Sequence, residues 1–219
     1  MKKVILIGAG GHAKAVIDIL KKNNQEIEIV GLITKDAADI GEKVLGVPII
    51  GTDKELSELF NKGIRYALIA VGSVDNNFLR KKLYKKVANI GYTFINAFHP
   101  SSIISDYARF GTGNVVMAGV LVGPDTIIGN NVILNTGSII EHDCIIEDHV
   151  HVAPGVKIAG GVTIGEASLI GIGSVIIQGI KVGKNVVVGA GTIVLEDIPD
   201  NAVVVGVPGK IKKFREIID

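Results

Sequence analysis

Every sixth residue from Ile104 to Val194 is apolar, sixteen positions in one register without insertion. In a chain with 47% hydrophobic residues, chance alone gives such a run roughly 6 × 10⁻⁶ of the time. Six is a multiple of two, so these anchors point to one side of an extended chain, and a hexad is too short to contain a helix. The spacing predicts a short strand and a turn repeated every six residues. Three hexads then close one coil of a prism, and successive coils stack at the ~4.8 Å strand spacing. Gly stands beside the anchor at 111, 123, 129, 165, 171, 183 and 189, where it is expected to supply turn conformations that a side chain would penalise. Four places after the anchor stand small or β-branched residues such as Thr126, Ser138, Cys144, Ser174 and Thr192.

The first ninety-five residues have another rhythm. Val4–Ile7 has the length of a buried strand, and Ala13, Val16, Ile17 and Leu20 then recur at helical spacing. Ile27–Ile33 predicts a second strand. Asp53 is placed to cap a helix running through Phe60, and Tyr66–Val71 predicts a third strand. A helix from about Asn76 carries Leu79, Leu83 and Val87 on one face, and Tyr92–Ile95 predicts a last strand. Strand–helix alternation predicts an α/β, Rossmann-like parallel sheet over residues 1–96. Asn96–Ser102 is the expected junction, residues 103–199 the prism and 200–219 a C-terminal cap, with Ile211–Asp219 read as a short helix. Lys81, Lys82, Lys85 and Lys86 are expected on a solvated helix face.

Gly8-Ala9-Gly10-Gly11-His12-Ala13 matches the dinucleotide fingerprint, with strand before and helix after. NAD needs an acidic residue near the end of the second strand; Leu32-Ile33-Thr34 offers none, and Asp36 comes slightly late. A nucleotide diphosphate on the helix N-terminus is the better expectation. Lys plus Arg is 23 and Asp plus Glu 22, so no charge excess marks a nucleic-acid binder or a membrane-surface protein. The basic start before Val4–Gly8 lacks a cleavage site, and no run approaches the ~18 apolar residues of a membrane helix. With one cysteine, the chain reads as cytoplasmic. Gly is 28 of 219 residues while mean hydropathy is +0.44 with 5% aromatics, which disfavours a helical bundle.

The polar run Asn135 to Cys144, with His149 and His151 after it, interrupts the prism's pattern. His142 occupies the third place of its hexad and faces outward. It is either a general base, its tautomer held by Asp143 or Glu141, or a polar turn residue. Cys144 occupies an interior place and reads as a packed thiol. His142 lies more than a third of a turn from His149 and His151, so the three could share zinc only across a subunit boundary. No metal is expected.

The hexads resemble the hexapeptide-repeat family, whose prism is a left-handed parallel β-helix. That family consists mostly of acyltransferases, usually homotrimers with acyl-CoA between neighbouring prisms. Together with the Gly8–His12 turn, the Asn135…Asp143-Cys144 run, His151 and the ending Val205-Gly-Val-Pro208-Gly-Lys210, the chain resembles the nucleotide-amino-sugar N-acetyltransferases of bacillosamine and perosamine pathways, often grouped with sialic acid O-acetyltransferases. The resemblance implies that acetyl-CoA and a nucleotide-linked amino sugar are the substrates. It implies His142 as general base, Asp143 orienting it, and no covalent intermediate. It places His151 at the acetyl-CoA thioester, Gly160 and Gly161 amides on the acetyl group, and the nucleotide sugar on Gly8, Gly10, Gly11, His12, Asn135 and Glu141. O-acetylation of sialic acid or a related sugar is the alternative, with a non-enzymatic nucleotide-binding protein or a zinc hydratase on the same fold behind it. Many relatives carry an Asp-Asp pair after the second strand; Ile33-Thr34 stands here, leaving the nucleotide base open.

Overall fold

The computed structural model describes residues 1–23, 26–73 and 77–216. The chain opens with β1 (Lys2–Ile7), α1 (Gly11–Lys22), β2 (Ile27–Thr34), β3 (Lys43–Val44), β4 (Val47–Thr52), α2 (Leu56–Asn61), β5 (Tyr66–Ile69), α3 (Phe78–Ile90) and β6 (Thr93–Phe94). They form a sheet of order β3-β4-β2-β1-β5-β6, parallel except for the β3–β4 hairpin at its edge. Central β1 is covered on both sides, which explains its unbroken apolar run. The chain leaves β1 outward to β2 and β4, then returns to β5 on the other side. The carboxyl ends of β1 and β5 therefore flank a topological switch point, where an open α/β sheet binds its ligands.

Several expectations for this half need correction. The second helix starts at Leu56, and Asp53 does not cap it; Asp53 pairs instead with Lys86 at 3.0 Å. Glu55 takes the loop's backbone, its carboxylate accepting from Thr52 N at 2.5 Å and Thr52 Oγ1 at 2.8 Å. Asn76 lies outside the described residues. In α3 the expected face holds at Leu83 and Val87, which pack on the core, but at its first turn Arg80 is buried and Leu79 is 55% exposed. The lysines of α3 are not merely a solvated face. Lys81 pairs with Glu166 at 2.7 Å, and Lys82, Lys85 and Lys86 line clefts on either side of the helix.

From Ala97 on, two-residue strands stack in three parallel sheets with partners eighteen residues apart, as Val115↔Ile133, Leu121↔Ile139 and Ile127↔Ile145. This is the left-handed parallel β-helix of hexapeptide repeats. The anchors from Val116 to Val194 are buried, whereas Ile104 and Phe110 at the open first coil are half-covered. Pairing begins at Ala97–Phe98, within the expected junction. The final coil is shortened: Val187 pairs with Val203, sixteen residues on. The tail is a strand and not a helix. Lys210–Phe214 returns antiparallel on Ala202–Val205, satisfying backbone groups that would otherwise form a bare sheet edge; residues 217–219 lie outside the described residues.

The glycines beside the anchors act differently from the expectation. They are not left-handed. A Cβ at Gly123 would lie 2.7 Å from His142 N, and one at Gly171 2.7 Å from Ala190 N, so these glycines allow backbones of successive coils to approach. The left-handed residue is two places further on and recurs every six residues, filled by Gly at most corners and by Asp125, Asn131, Asp143, His149, Ala167 and Asn185 at the rest. Inside, Thr126 and Ser174 are fully buried and satisfy themselves by donating to Glu141 O at 2.8 Å and Gly189 O at 2.9 Å.

The three prism faces differ in cover. On the first, the outward residues Val115, Ile133, His151 and Leu169 are buried beneath the α/β half. On the second, the outward row Ile103, Leu121, Ile139, Val175 and Ile193 is apolar yet at least partly exposed, broken by Lys157. The third carries Arg109, Ile127, Ile145, Thr163 and Lys181. Among the described residues no helix is long and apolar enough to cross a membrane.

Candidate active site

His142 stands at the corner where the second face meets the third. Its Nδ1 lies 2.7 Å from Asp143 Oδ2, and both side chains are well exposed. Asp143 can reach back because its backbone is left-handed, φ 58°, a conformation that Asp tolerates better than most residues. Glu141 is exposed but the imidazole meets Asp143. One coil on, the ring lies across Gly160: a Cβ there would sit 2.5 Å from His142 Cε1 and 2.7 Å from Nε2. Gly161 N donates to His142 O at 2.9 Å, with Gly161 at φ 68°. Glycine at 160 thus leaves room for the imidazole and for a ligand against the backbone. Cys144 is fully buried, its thiol bonded to Ala159 O at 3.2 Å, and burial pushes its pKa up. It is packed and not poised as a nucleophile.

A second cluster forms where the α/β half meets the covered face. Gly8 turns at φ 122°, and a Cβ there would strike Ala70 C and O at 2.9 Å. Gly10 and Gly11 leave open space above the first turn of α1, where a phosphate can reach the unpaired amides. His12 follows on the same turn, its Nε2 buried without a partner among the described residues. Burial holds its pKa down to about 3, helped by the Arg80 and His151 charges. His151 is also buried, with Asn135 Nδ2 at 3.3 Å from its Nε2. Burial first and Arg80 second hold its pKa down to about 4.

His12, His151 and Asn135 are therefore brought together, and so are His142, Asp143, Gly160 and Gly161; the two clusters are not. Between Asn135 and His142 run the turn at Thr136 and Gly137 and then the second face, with its strand Ile139–Ile140. His149 belongs to neither cluster, its Nδ1 bonded to Asn131 Nδ2 at 3.0 Å. Among the described residues no group of three His, Cys, Asp or Glu side chains could hold a metal ion.

At the carboxyl ends of β1, β2 and β5 a cleft of about 350 Å³ opens, lined by Gly8, Ile33, Thr34, Val71, Lys82 and Lys86 among others. Thr34 Oγ1 donates to Asp39 Oδ2 at 3.0 Å, so a carboxylate reaches the end of β2 from the following turn. A larger cleft, about 830 Å³, lies on the far side of α3 against Glu166, Lys184 and Asn201, away from both histidine clusters.

The residue missed by the sequence reading is Arg80, 1% exposed. It donates to Ile69 O at 2.9 Å, Val71 O at 2.7 Å and Asn131 Oδ1 at 2.7 Å, joining β5 to the prism. Asn77 does similar work, donating to Ser168 O at 2.9 Å. The signal for Arg80 was its seven-residue spacing from Val87, which puts a charge on the apolar stripe of the helix.

Residues 3–87 match the PglD N-terminal domain family and residues 125–160 the bacterial transferase hexapeptide family (six repeats). UDP-N-acetylbacillosamine N-acetyltransferase of Bacillus subtilis (strain 168) is 36% identical over 120 residues; the match takes in 54% of this chain and 52% of that protein, about half its length. The acetyltransferase domain of PglB from Neisseria gonorrhoeae, in complex with acetyl coenzyme A, is 34% identical with a TM-score of 0.86, covering 96% of this chain and 98% of that one. A histidine-to-alanine variant of GDP-perosamine N-acetyltransferase from Caulobacter crescentus, in complex with CoA and GDP-perosamine, is 38% identical with a TM-score of 0.89, covering 96% and 97%. On likeness that runs through both halves and nearly end to end, the chain belongs to the hexapeptide-repeat family of nucleotide-amino-sugar N-acetyltransferases.

Proposed function

We propose that this protein transfers the acetyl group of acetyl-CoA to the amino group of a nucleotide-linked amino sugar, with His142 as general base. The observation that carries the reading is the His142 corner: Asp143 holds Nδ1 at 2.7 Å, which leaves Nε2 to accept a proton beside the glycine backbone at 160 and 161. As the amine adds to the thioester carbonyl, Nε2 takes the amine's proton and Asp143 stabilises the imidazolium that forms. The amide of Gly160 is the donor this reading assigns to the developing oxyanion, while Gly161 N, already given to His142 O at 2.9 Å, fixes the turn beside it. The coenzyme thiolate leaves, and the acetyl carbon never bonds to the enzyme.

The nucleotide sits on Gly8, Gly10, Gly11 and His12, with its base in the cleft beyond β1 and β2, and His151 and Asn135 border the sugar and thioester. These groups lie one prism face away from His142 of the same chain. A homotrimer resolves the separation: the exposed apolar row from Ile103 to Ile193 runs up to the His142 corner, and a second copy on that face would bring its own sugar pocket to this histidine. Ile139→Asp at the centre of that row is expected to yield monomers in analytical ultracentrifugation and to abolish turnover. Acetyl-CoA and sugar nucleotides are cytoplasmic metabolites, so the reaction belongs in the cytoplasm.

The test is thiol release from acetyl-CoA with UDP-, GDP- and TDP-linked amino sugars, beside free and CMP-linked sialic acid. Turnover with an amino sugar is expected. Turnover with sialic acid alone would overturn the N-acetyl assignment in favour of O-acetylation, and binding of acetyl-CoA with no turnover across the panel would remove this substrate class.

A further inference from the structure

Among the described residues Arg80 is a buried cation without a counter-ion. Among the described residues no carboxylate lies within salt-bridge distance, and its donors go to three backbone carbonyls and one amide oxygen. Such a group is costly to bury, and burial lowers its pKa only to about 9, leaving it charged at neutral pH. Its bonds to Ile69 O and Val71 O hold the exit of β5, and a Cβ on Gly72, just beyond, would touch His12 Cβ at 3.3 Å. Its bonds to Asn131 hold the same guanidinium on the prism, one strand below His151. Asn131 in turn meets His149, whose ring packs edge-on against Tyr84 at 5.3 Å. The groups gathered around His151 are Asn135 from the prism, the Ser73 backbone from the loop after β5, Arg80 from α3 and His12 from α1. Among the described residues no carboxylate acts on His12 or His151, whereas His149 around the corner has Asp148 and Glu166 beside it.

We propose that Arg80 is a positioning residue for the acceptor amine: it ties the exit of β5 to the prism and sets an uncompensated positive charge behind the wall formed by His12, His151 and Asn135, so that the pocket admits the amine uncharged and nucleophilic. This rests on the amino-sugar reading above. A sugar ammonium brought next to a buried guanidinium loses its proton more readily, as like charges disfavour the charged form. Neutral His12, whose Nε2 has no partner among the described residues, can then accept a hydrogen bond from the amine, and neutral His151 stands beside it without repelling it. The proton goes to solvent on binding, and His142 later takes the one released by acetyl transfer.

The experiment is calorimetry of the amino-sugar nucleotide binding to His142→Ala protein, which holds the substrate without turnover, in buffers of different ionisation enthalpy. Binding at pH 7 is expected to release close to one proton per site, and Arg80→Met to cut that release by about half or more. Arg80→Lys, which keeps charge but loses the forked bonds, is expected to keep the release and weaken affinity several-fold. Equal proton release in Arg80→Met, or its loss in Arg80→Lys, would overturn the proposal. Imidazole NMR of the ligand-free protein separates this from failure of the substrate reading. His12 and His151 are expected to stay neutral down to about pH 4 with Arg80 present. In Arg80→Met, or in Arg80→Gln should Met fail to fold, both should titrate at higher pH. No movement would overturn the proposal even if no amino sugar binds.

Discussion

At the corner after Ile140, His142 is exposed with a carboxylate 2.7 Å from Nδ1; on the covered face, His151 and the Nε2 of His12 are buried and the Arg80 cation acts on both. The contrast follows chemical need. A general base must carry a positive charge briefly, and a neighbouring carboxylate stabilises it. A binding wall must only hydrogen-bond, and burial beside a cation keeps its imidazoles neutral. The two clusters are also built differently. The first comes from neighbours in sequence and one coil contact, the second from α1, α3, a loop and the prism together.

The largest effect should fall on the exposed cluster. His142→Ala is expected to lower kcat/KM about 10³-fold, within the usual range for a lost general base. Acetyl-CoA affinity should stay nearly unchanged. A drop shared equally between affinity and rate would mean that the corner binds substrate and does no proton transfer. Gly160→Ala comes next. The new methyl would overlap the imidazole, 2.5 Å from Cε1, and displacing a catalytic ring by about an ångström costs on the order of 10² in kcat. Asp143 remains in place, so melting temperature should hardly move, and an unchanged kcat would remove His142 from the reacting centre.

What the sequence showed of these clusters follows from how each is made. The prism and the outward aim of His142 were legible because a hexad is a one-dimensional rule: position in the repeat fixes inside or outside, as the buried Thr126, Ser138 and Cys144 bear out. The same rule misjudged the glycines at 123 and 171, since a coil above is invisible in the local spacing. Arg80 went unseen because the four lysines that follow it make α3 look like a charged face, and only packing on the prism distinguishes its place. The tail failed for a like reason. Its Lys210–Phe214 segment has too little pattern to choose a state, and the open edge of Ala202–Val205 chooses strand.

The buried cluster should reveal itself through acid. His12 and His151 have folded pKa values near 3 and 4, below the unfolded value of 6.5. A base whose pKa is depressed on folding contributes full stability above its unfolded pKa and loses it as pH falls, because the unfolded chain then binds more protons. Between pH 6 and pH 4 these two residues alone should cost about 2 kcal/mol per pH unit. Urea unfolding at stepped pH checks it. The slope should shrink when His151 is replaced by Gln; a slope that His151→Gln leaves unchanged would remove this imidazole from the buried, neutral wall.

The smallest effect concerns the thiol between the two regions' chemistries. Cys144 is adjacent to Asp143 and two residues from His142, close enough to suggest an acyl-enzyme. Yet it is 0% exposed, its Sγ bonded to Ala159 O at 3.2 Å, on the inner side of the wall whose outer side carries the imidazole. Burial raises its pKa, which suppresses the thiolate that a nucleophile needs. Cys144→Ala removes one buried sulfur and one weak hydrogen bond, a loss of about 1 kcal/mol in urea unfolding. Turnover should remain within a few-fold of the native protein, and rapid-quench mass spectrometry should find no acetyl group on the chain. An acetylated Cys144 peptide, or a variant as dead as His142→Ala, would turn the corner from a proton-accepting site into a covalent one.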